Sequence, residues 1–347
     1  MKKMITFMMV IVLLTTVALT GCSQTNEPVG TDEANGEEAM KVALVVAGGL
    51  GDRSFYDSSN EGVERAKVEL GVEARVFECR NDPSLYNDQL VQASQYASVV
   101  AVVGFEFYDV VQEIAEAFPE VNYIYVDNEI EGIPNLTTIS YQENEGSFLV
   151  GAMAAILTQE TSIEGIQEGK VIGMVGGMDI PVIRNFKAGY EAGAAYIDPE
   201  VKVETIFAGD FEDPAKGKES ALALYSRGVD IIFQVAGKTG EGVFEAAAES
   251  QRFAIGVDSD QRYINPDVIV ASMIKGVGLS IFESIERIQN GSFEAGKVYY
   301  YGIEENGVNL SFGGEDMPQF VTEEMKVQIE EIKGKIISGE IEVPGGK

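Results

Sequence analysis

From residue 41 onward the chain alternates short, strongly apolar runs with longer amphipathic stretches, and it does so twice. In the first round Val42–Ala47, Arg75–Cys79, Val99–Gly104, Tyr123–Val126 and Thr138–Tyr141 read as strands. Helices are expected near Asp57–Leu70, Ser84–Tyr96 and Tyr108–Phe118. A helix over Ser147–Leu157 follows, and the scheme restarts. Lys170–Val175, Val203–Ala208, Ile231–Val235, Ala254–Val257 and Val268–Ser272 read as strands, with Val182–Tyr196, Pro214–Arg227, Glu241–Ser250 and Leu279–Gln289 as helices. Nearly continuous apolar strands separated by helices indicate parallel sheets covered on both faces. The expected class is therefore α/β, with two doubly wound halves of similar plan. A tail of Val298–Tyr301, Val308–Phe312 and a helix near Glu323–Ser338 ends the chain.

Composition narrows the chemistry. The 347 residues include no His and only two Cys, so neither a His-based nucleophilic triad nor a His-ligated or four-thiolate metal site can be built. No cofactor is expected. The formal net charge of −31 argues against nucleic acid and against electrostatic adhesion to anionic lipid.

The first residues read as an address. Lys2 and Lys3 precede an uncharged, mostly apolar run from Met4 to Leu19, followed by Leu19-Thr20-Gly21-Cys22. A basic start, an apolar run too short for a comfortable span and a small-residue cleavage site make a secretory signal over residues 1–21. The Cys after Leu-Thr-Gly resembles a bacterial lipobox, which implies that Cys22 is lipidated and starts the mature chain. Residues 22–40 are polar and acidic and read as a flexible tether. Localisation at the cell membrane, lipid-anchored on its outer side, follows from this reading. Cys79 then has no partner and is expected to be a buried thiol.

In an open parallel sheet, ligands bind beyond the carboxyl ends of the strands. In this chain those positions carry Gly48 to Tyr56, Gly104-Phe105 and Asp127-Asn128 in the first half. The second half places Gly176 to Pro181, Gly209-Asp210-Phe211, Ala236 to Gly240, Asp258 to Gln261 and Ser272 to Lys275 there. Glycines let a ligand approach the backbone, carboxylates accept from hydroxyl and N–H groups, and aromatic faces suit a flat heterocycle. Asp52 and Asp179 suit a helix N-cap as well as a ligand contact, and Phe55 and Phe211 suit core packing as well as stacking. Two glycine-rich signals fail. Gly49 to Ser54 has Ser where a dinucleotide fingerprint needs its third Gly, and Gly237-Lys238-Thr239 has Ile232 where a phosphate loop needs its first.

Six ordered motifs carry a family resemblance. They are Asp52-Arg53-Ser54-Phe55, Gly177-Met178-Asp179-Ile180-Pro181, Asp213-Pro214-Ala215-Lys216-Gly217, Gly240-Glu241-Gly242-Val243-Phe244, Gly256 to Gln261 and Ser272-Met273-Ile274-Lys275. Over about 41–307 the chain resembles the basic membrane protein family of substrate-binding lipoproteins, which includes purine nucleoside receptors of ABC importers. The resemblance implies a type I periplasmic-binding-protein fold, with lobe I over 41–144 and 276–296, lobe II over 145–275 and 297–347, and three crossovers as hinge. It also implies a monomer without catalysis that holds adenosine, guanosine or inosine and delivers it to an ABC permease with a separate ATPase.

The same resemblance implies roles for the site residues. Phe55 forms one face of an aromatic sandwich whose other face comes from the second lobe; position at a strand end selects Phe211 for it, with Phe186 in reserve. Asp127 meets the base. Asp258 and Lys275 hold the ribose, with the Gly237 backbone alongside, and Asp52 joins the set. Tyr56 and Lys238 depart from the family's usual Asn and Gly. Some relatives bind riboflavin. A sugar binder or a nucleoside-sensing receptor is the alternative reading within the fold. A nucleoside hydrolase would need a denser Asp cluster than Asp258 and Asp260 provide.

Overall fold

The computed structural model describes residues 39–346. The expected leader over 1–21, Cys22 and nearly all of the expected tether lie outside the described residues. The strands and helices run in chain order as β1 (Lys41–Val46), α1 (Phe55–Glu69), β2 (Glu73–Glu78), α2 (Tyr86–Tyr96), β3 (Val99–Val103), α3 (Tyr108–Ala117), β4 (Asn122–Val126) and β5 (Leu136–Tyr141). The second round is α4 (Glu143–Leu157), β6 (Val171–Gly176), α5 (Pro181–Ile197), β7 (Lys202–Phe207), α6 (Pro214–Tyr225), β8 (Ile231–Val235), α7 (Gly240–Ser250), β9 (Phe253–Asp258) and β10 (Ile269–Lys275). The tail contributes α8 (Val277–Gln289), β11 (Val298–Tyr301), β12 (Val308–Ser311) and α9 (Glu323–Ile337).

Two six-stranded sheets result, ordered β11-β5-β4-β3-β1-β2 and β12-β10-β9-β8-β6-β7. Each contains the same doubly wound order, with the direction of winding reversing between its first and third strands. That reversal opens a crevice at the strand tips. The central strands β3, β8 and β9 are buried at every position, as continuous apolar runs require. The edge strands β2 and β7 are partly exposed and carry charged residues, which blunts a free edge.

Helix packing depends on glycine at the tightest crossings. A Cβ on Gly189 or Gly193 of α5 would collide with a backbone carbonyl of α4, at Asn144 or Phe148. The two helices therefore meet backbone to backbone, and α4 belongs with the second sheet although it follows the first directly.

The chain crosses between the sheets at Gln142, at Gly276 and between β11 and β12. These crossings lie side by side: the Gln142 amide donates to the Tyr301 carbonyl at 3.0 Å, and the Gly276 amide to the Gly307 carbonyl at 2.8 Å. One expectation changes. Val298–Tyr301, expected in the second lobe, pairs in parallel with β5 of the first sheet. Helix α8 packs on α1 and returns the chain to that edge, and only β12 closes the second sheet, antiparallel to β10.

Candidate functional site

The strand tips of both sheets face one cavity of about 400 Å³. All seven expected ligand contacts line it: Asp52, Phe55 and Asp127 from the first half, and Phe211, Gly237, Asp258 and Lys275 from the second. Phe186 lines it as well, though its ring is almost wholly buried and packs on Phe233.

The end beside the crossings is a buried charge cluster. Asp127 and Asp258 occupy corresponding positions at the tips of β4 and β9, and both have a left-handed backbone, at φ 64° and 66°. That conformation is uncommon outside glycine and turns each carboxylate away from the strand direction. The Lys275 side chain is 2% exposed, and its ammonium lies 2.6 Å from Asp127 Oδ1 and 3.3 Å from Glu143 Oε1. It donates to Asp127 Oδ2 at 2.7 Å. The rings of Tyr141, Phe55 and Phe186 surround it, at 4.9, 5.1 and 5.6 Å from ammonium to ring centre.

Burial opposes the Lys275 charge, but Asp127, Glu143 and Asp258 together hold its pKa above the ordinary value. Burial pushes Asp258 up to about 6, against the pull of Lys275 and of the Ser54 hydroxyl, which donates to its Oδ2. Glu143 is likewise raised by burial, although Lys275 and Asn185 oppose the shift.

Two expected contacts acquire other partners here. Asp127, expected on the base, is engaged by Lys275, because a buried ammonium must be neutralised nearby. Asp52, also expected on the ligand, caps α1: its carboxylate accepts from the amides of Ser54 at 3.1 Å, Tyr56 at 2.9 Å and Asp57 at 3.0 Å. Its pKa is raised by burial in spite of those bonds. Asp179 is exposed and paired with Arg184, outside the cavity lining.

The opposite end, towards the edge strands, was largely missed by sequence reasoning. Phe105 and Phe211 approach from the two halves with ring centres 6.5 Å apart. Next to them in the chain, Glu106 and Glu212 also line the cavity, with Asn81, Tyr56, Tyr86 and Lys238. Glu106 Oε2 is buried and has no hydrogen-bond partner. Burial raises its pKa, a hydrogen bond from its own backbone amide opposes the shift, and the Glu212 charge adds to it. Burial also raises Glu212, against a hydrogen bond with Asn81 and the Lys238 charge. Each glutamate directly follows a strand-tip aromatic, Phe105 or Phe211, and that adjacency is the signal in the sequence that points to it.

The two halves touch across the crevice. Besides the Ser54–Asp258 bond, the Arg53 carbonyl accepts from Gln261 Nε2 at 2.9 Å and from Ser259 Oγ at 3.1 Å.

This geometry, a cavity built from the matching edges of two doubly wound sheets, is shared with known proteins. The family described as ABC transporter substrate-binding protein PnrA-like (Bmp) matches residues 39–347. The chain belongs to this family. It is 34% identical over 319 residues to Basic membrane protein A of Borreliella burgdorferi, covering 90% of both chains. It is 31% identical over 372 residues to the ABC transporter nucleoside-binding protein BmpA of Lactococcus lactis, covering 99% of both. Among solved structures, an ABC transporter solute-binding protein from Aeropyrum pernix superposes with a TM-score of 0.76 at 27% identity, over 88% of this chain and 94% of the other. The architecture is accordingly the two-lobe, type I arrangement of solute-binding proteins, and the chain is an ABC transporter substrate-binding protein. Its family name does not describe its charge, which is strongly acidic. Among the described residues no helix is long and apolar enough to cross a membrane.

Proposed function

We propose that this protein is an extracytoplasmic lipoprotein, anchored through Cys22, that captures a purine nucleoside between two lobes and delivers it to a membrane permease powered by a separate ATPase. One observation carries the ligand class. Phe55 and Phe211, from opposite halves, line the same cavity as the buried Asp258 and Lys275. Two phenyl faces suit a planar base, and a carboxylate with an ammonium suits the hydroxyls of a pentose. The name of the Lactococcus lactis relative points the same way.

In this reading lobe I comprises 41–142 and 276–301, lobe II comprises 143–275 and 302–346, and the three adjacent crossings form the hinge. The bound nucleoside contacts both lobes, so it favours the closed arrangement over the open one by its differential affinity for the two. Asp258 accepts from a ribose hydroxyl, Lys275 donates to another, and Gly237 brings backbone close to the sugar. The acyl anchor holds an acidic body that would be repelled from anionic lipid, each buried methylene contributing roughly 0.8 kcal/mol.

The test is mass spectrometry of small molecules released by denaturing the purified protein, followed by calorimetric titration with adenosine, guanosine and inosine. A co-purified or tightly titrating nucleoside supports the reading. A released flavin or free sugar, with no nucleoside binding, overturns it. Labelling with radioactive palmitate in the wild type and in Cys22→Ala tests the anchor separately.

A further inference from the structure

The cavity has two polar ends, and the ribose-and-ring reading uses only one. Asp258 and Lys275 lie beside the hinge crossings, whereas Glu106 and Glu212 follow β3 and β7, next in the chain to Phe105 and Phe211, and the Glu106 charge bears on Cys79 and Tyr86, past β2 at the edge of the first sheet. A nucleoside whose sugar sits at the hinge end therefore directs the edge of its base towards Glu106.

We propose that Glu106 reads that edge and selects purines with a protonated ring nitrogen, the 6-oxopurine nucleosides, over 6-aminopurines. This inference rests on the nucleoside reading and goes beyond it by naming the reader and the preferred base chemistry.

One acceptor beside the cavity is unmet. Glu106 lines the cavity, and its Oε2, folded back over the strand tip, is buried and has no hydrogen-bond partner. Leaving a buried carboxylate oxygen without a donor is costly, so a ligand donor placed there gains more than a typical hydrogen bond. An ionised carboxylate can only accept. A 6-oxopurine presents N1–H, and guanine adds an adjacent amine. Adenine offers its exocyclic amine but turns the lone pair of N1 towards the same acceptor.

The opposing lobe reinforces this preference. Glu212 reaches across to the first lobe, so that a Cβ on Gly48 would lie only 2.9 Å from its Oε1. Closure thus brings two carboxylates together over one end of the cavity, and N–H donors between them offset that repulsion. Lys238, also on the cavity, supplies a donor for the 6-oxo oxygen. Gly104 has a φ of 130°, and a Cβ there would lie 2.7 Å from Glu106 Oε2, so the carboxylate is folded back over the strand tip.

The experiment is calorimetric titration of guanosine, inosine and adenosine into the wild type and into Glu106→Gln, each also melted without ligand. The wild type is expected to bind guanosine and inosine at least about tenfold more tightly than adenosine. Glu106→Gln is expected to weaken the 6-oxopurines by roughly 10- to 100-fold, the value of one hydrogen bond to a charged group, and to change adenosine by less than about threefold. A wild type that prefers adenosine overturns the inference without recourse to the variant. An equal loss for all three ligands in a variant that melts normally overturns it too, since that pattern is structural. Failure of the wild type to bind any of the three overturns the nucleoside reading itself, and this one with it.

Discussion

The two ends of the cavity are both acidic, yet they are built on different principles. At the hinge end every carboxylate has a partner: Asp127 and Glu143 face Lys275, and Asp258 takes the Ser54 hydroxyl. At the edge-strand end Glu106 keeps a buried oxygen unpaired, and Glu212 has Asn81 and the more distant Lys238 charge. The hinge end is assembled by residues of both sheets, so its charges help to hold the fold together. The far end is assembled from loop residues just past the strands, where an unpaired acceptor is left for a ligand to satisfy. Substitutions at the two ends should therefore separate into losses of stability plus binding, and changes of selectivity alone.

Lys275→Met gives the largest contrast. It removes the only cation facing Asp127, Glu143 and Asp258 among the described residues and leaves buried carboxylates without compensation. Breaking such a pair from one side typically costs about 3–5 kcal/mol, so denaturant unfolding should show a loss of that order together with abolished nucleoside binding. A variant with unchanged stability would show that the charge cluster does not help to hold the fold together. Next in size are Phe55→Ala and Phe211→Ala. Each should weaken nucleoside binding by about 1–3 kcal/mol, the usual value of one stacked base, with melting temperature nearly unchanged because both rings are only partly buried. A ligand held through its sugar alone would be insensitive to either change in titration.

Acidity offers a further way to weigh the two ends. The Asp258 pKa rises from an ordinary 3.8 to about 6 on folding, mainly through burial. The folded state therefore holds this proton more tightly than the unfolded chain. Its stabilising contribution is complete below the unfolded value and is lost as pH rises through the folded one. Glu143, Glu106 and Glu212 shift in the same direction. The ligand-free protein should melt a few degrees higher at about pH 5 than at about pH 8, and Asp258→Asn should flatten that slope more than Glu106→Gln does. The reverse ranking would place the proton-linked stability at the wrong end.

The sequence made the scaffold legible because buried parallel strands leave long apolar runs, and the strand tips then follow by counting. Asp127 and Asp258 were found in this way, as matching residues after the fourth strand of each half. Their pairing was not legible: that Lys275 would satisfy Asp127 depends on the distance between two sheets, which no local pattern encodes. Glu106 was hidden for another reason. It lies in a short turn, Phe105–Phe107, where nothing in the residue order distinguishes a solvated glutamate from one folded back into a cavity. The placement of Val298–Tyr301 likewise depends on which edge the returning chain meets, and it meets β5 of the first sheet.

Asp52 makes the finest distinction, because it lines the cavity while its carboxylate is occupied by the Ser54 amide and two amides of the first turn of α1. If it is a cap, Asp52→Ala should lower unfolding free energy by roughly 0.5–2 kcal/mol, as loss of an N-terminal cap does. Nucleoside affinity should then change only slightly, through small displacement of Phe55, which opens the same helix. Asp52→Asn keeps an acceptor oxygen and should recover part of the lost stability. A large loss of affinity in Asp52→Asn, with the melting temperature preserved, would instead make Asp52 a ligand contact. It would extend to the start of α1 the overlap of structural and binding roles that otherwise belongs to the hinge end alone.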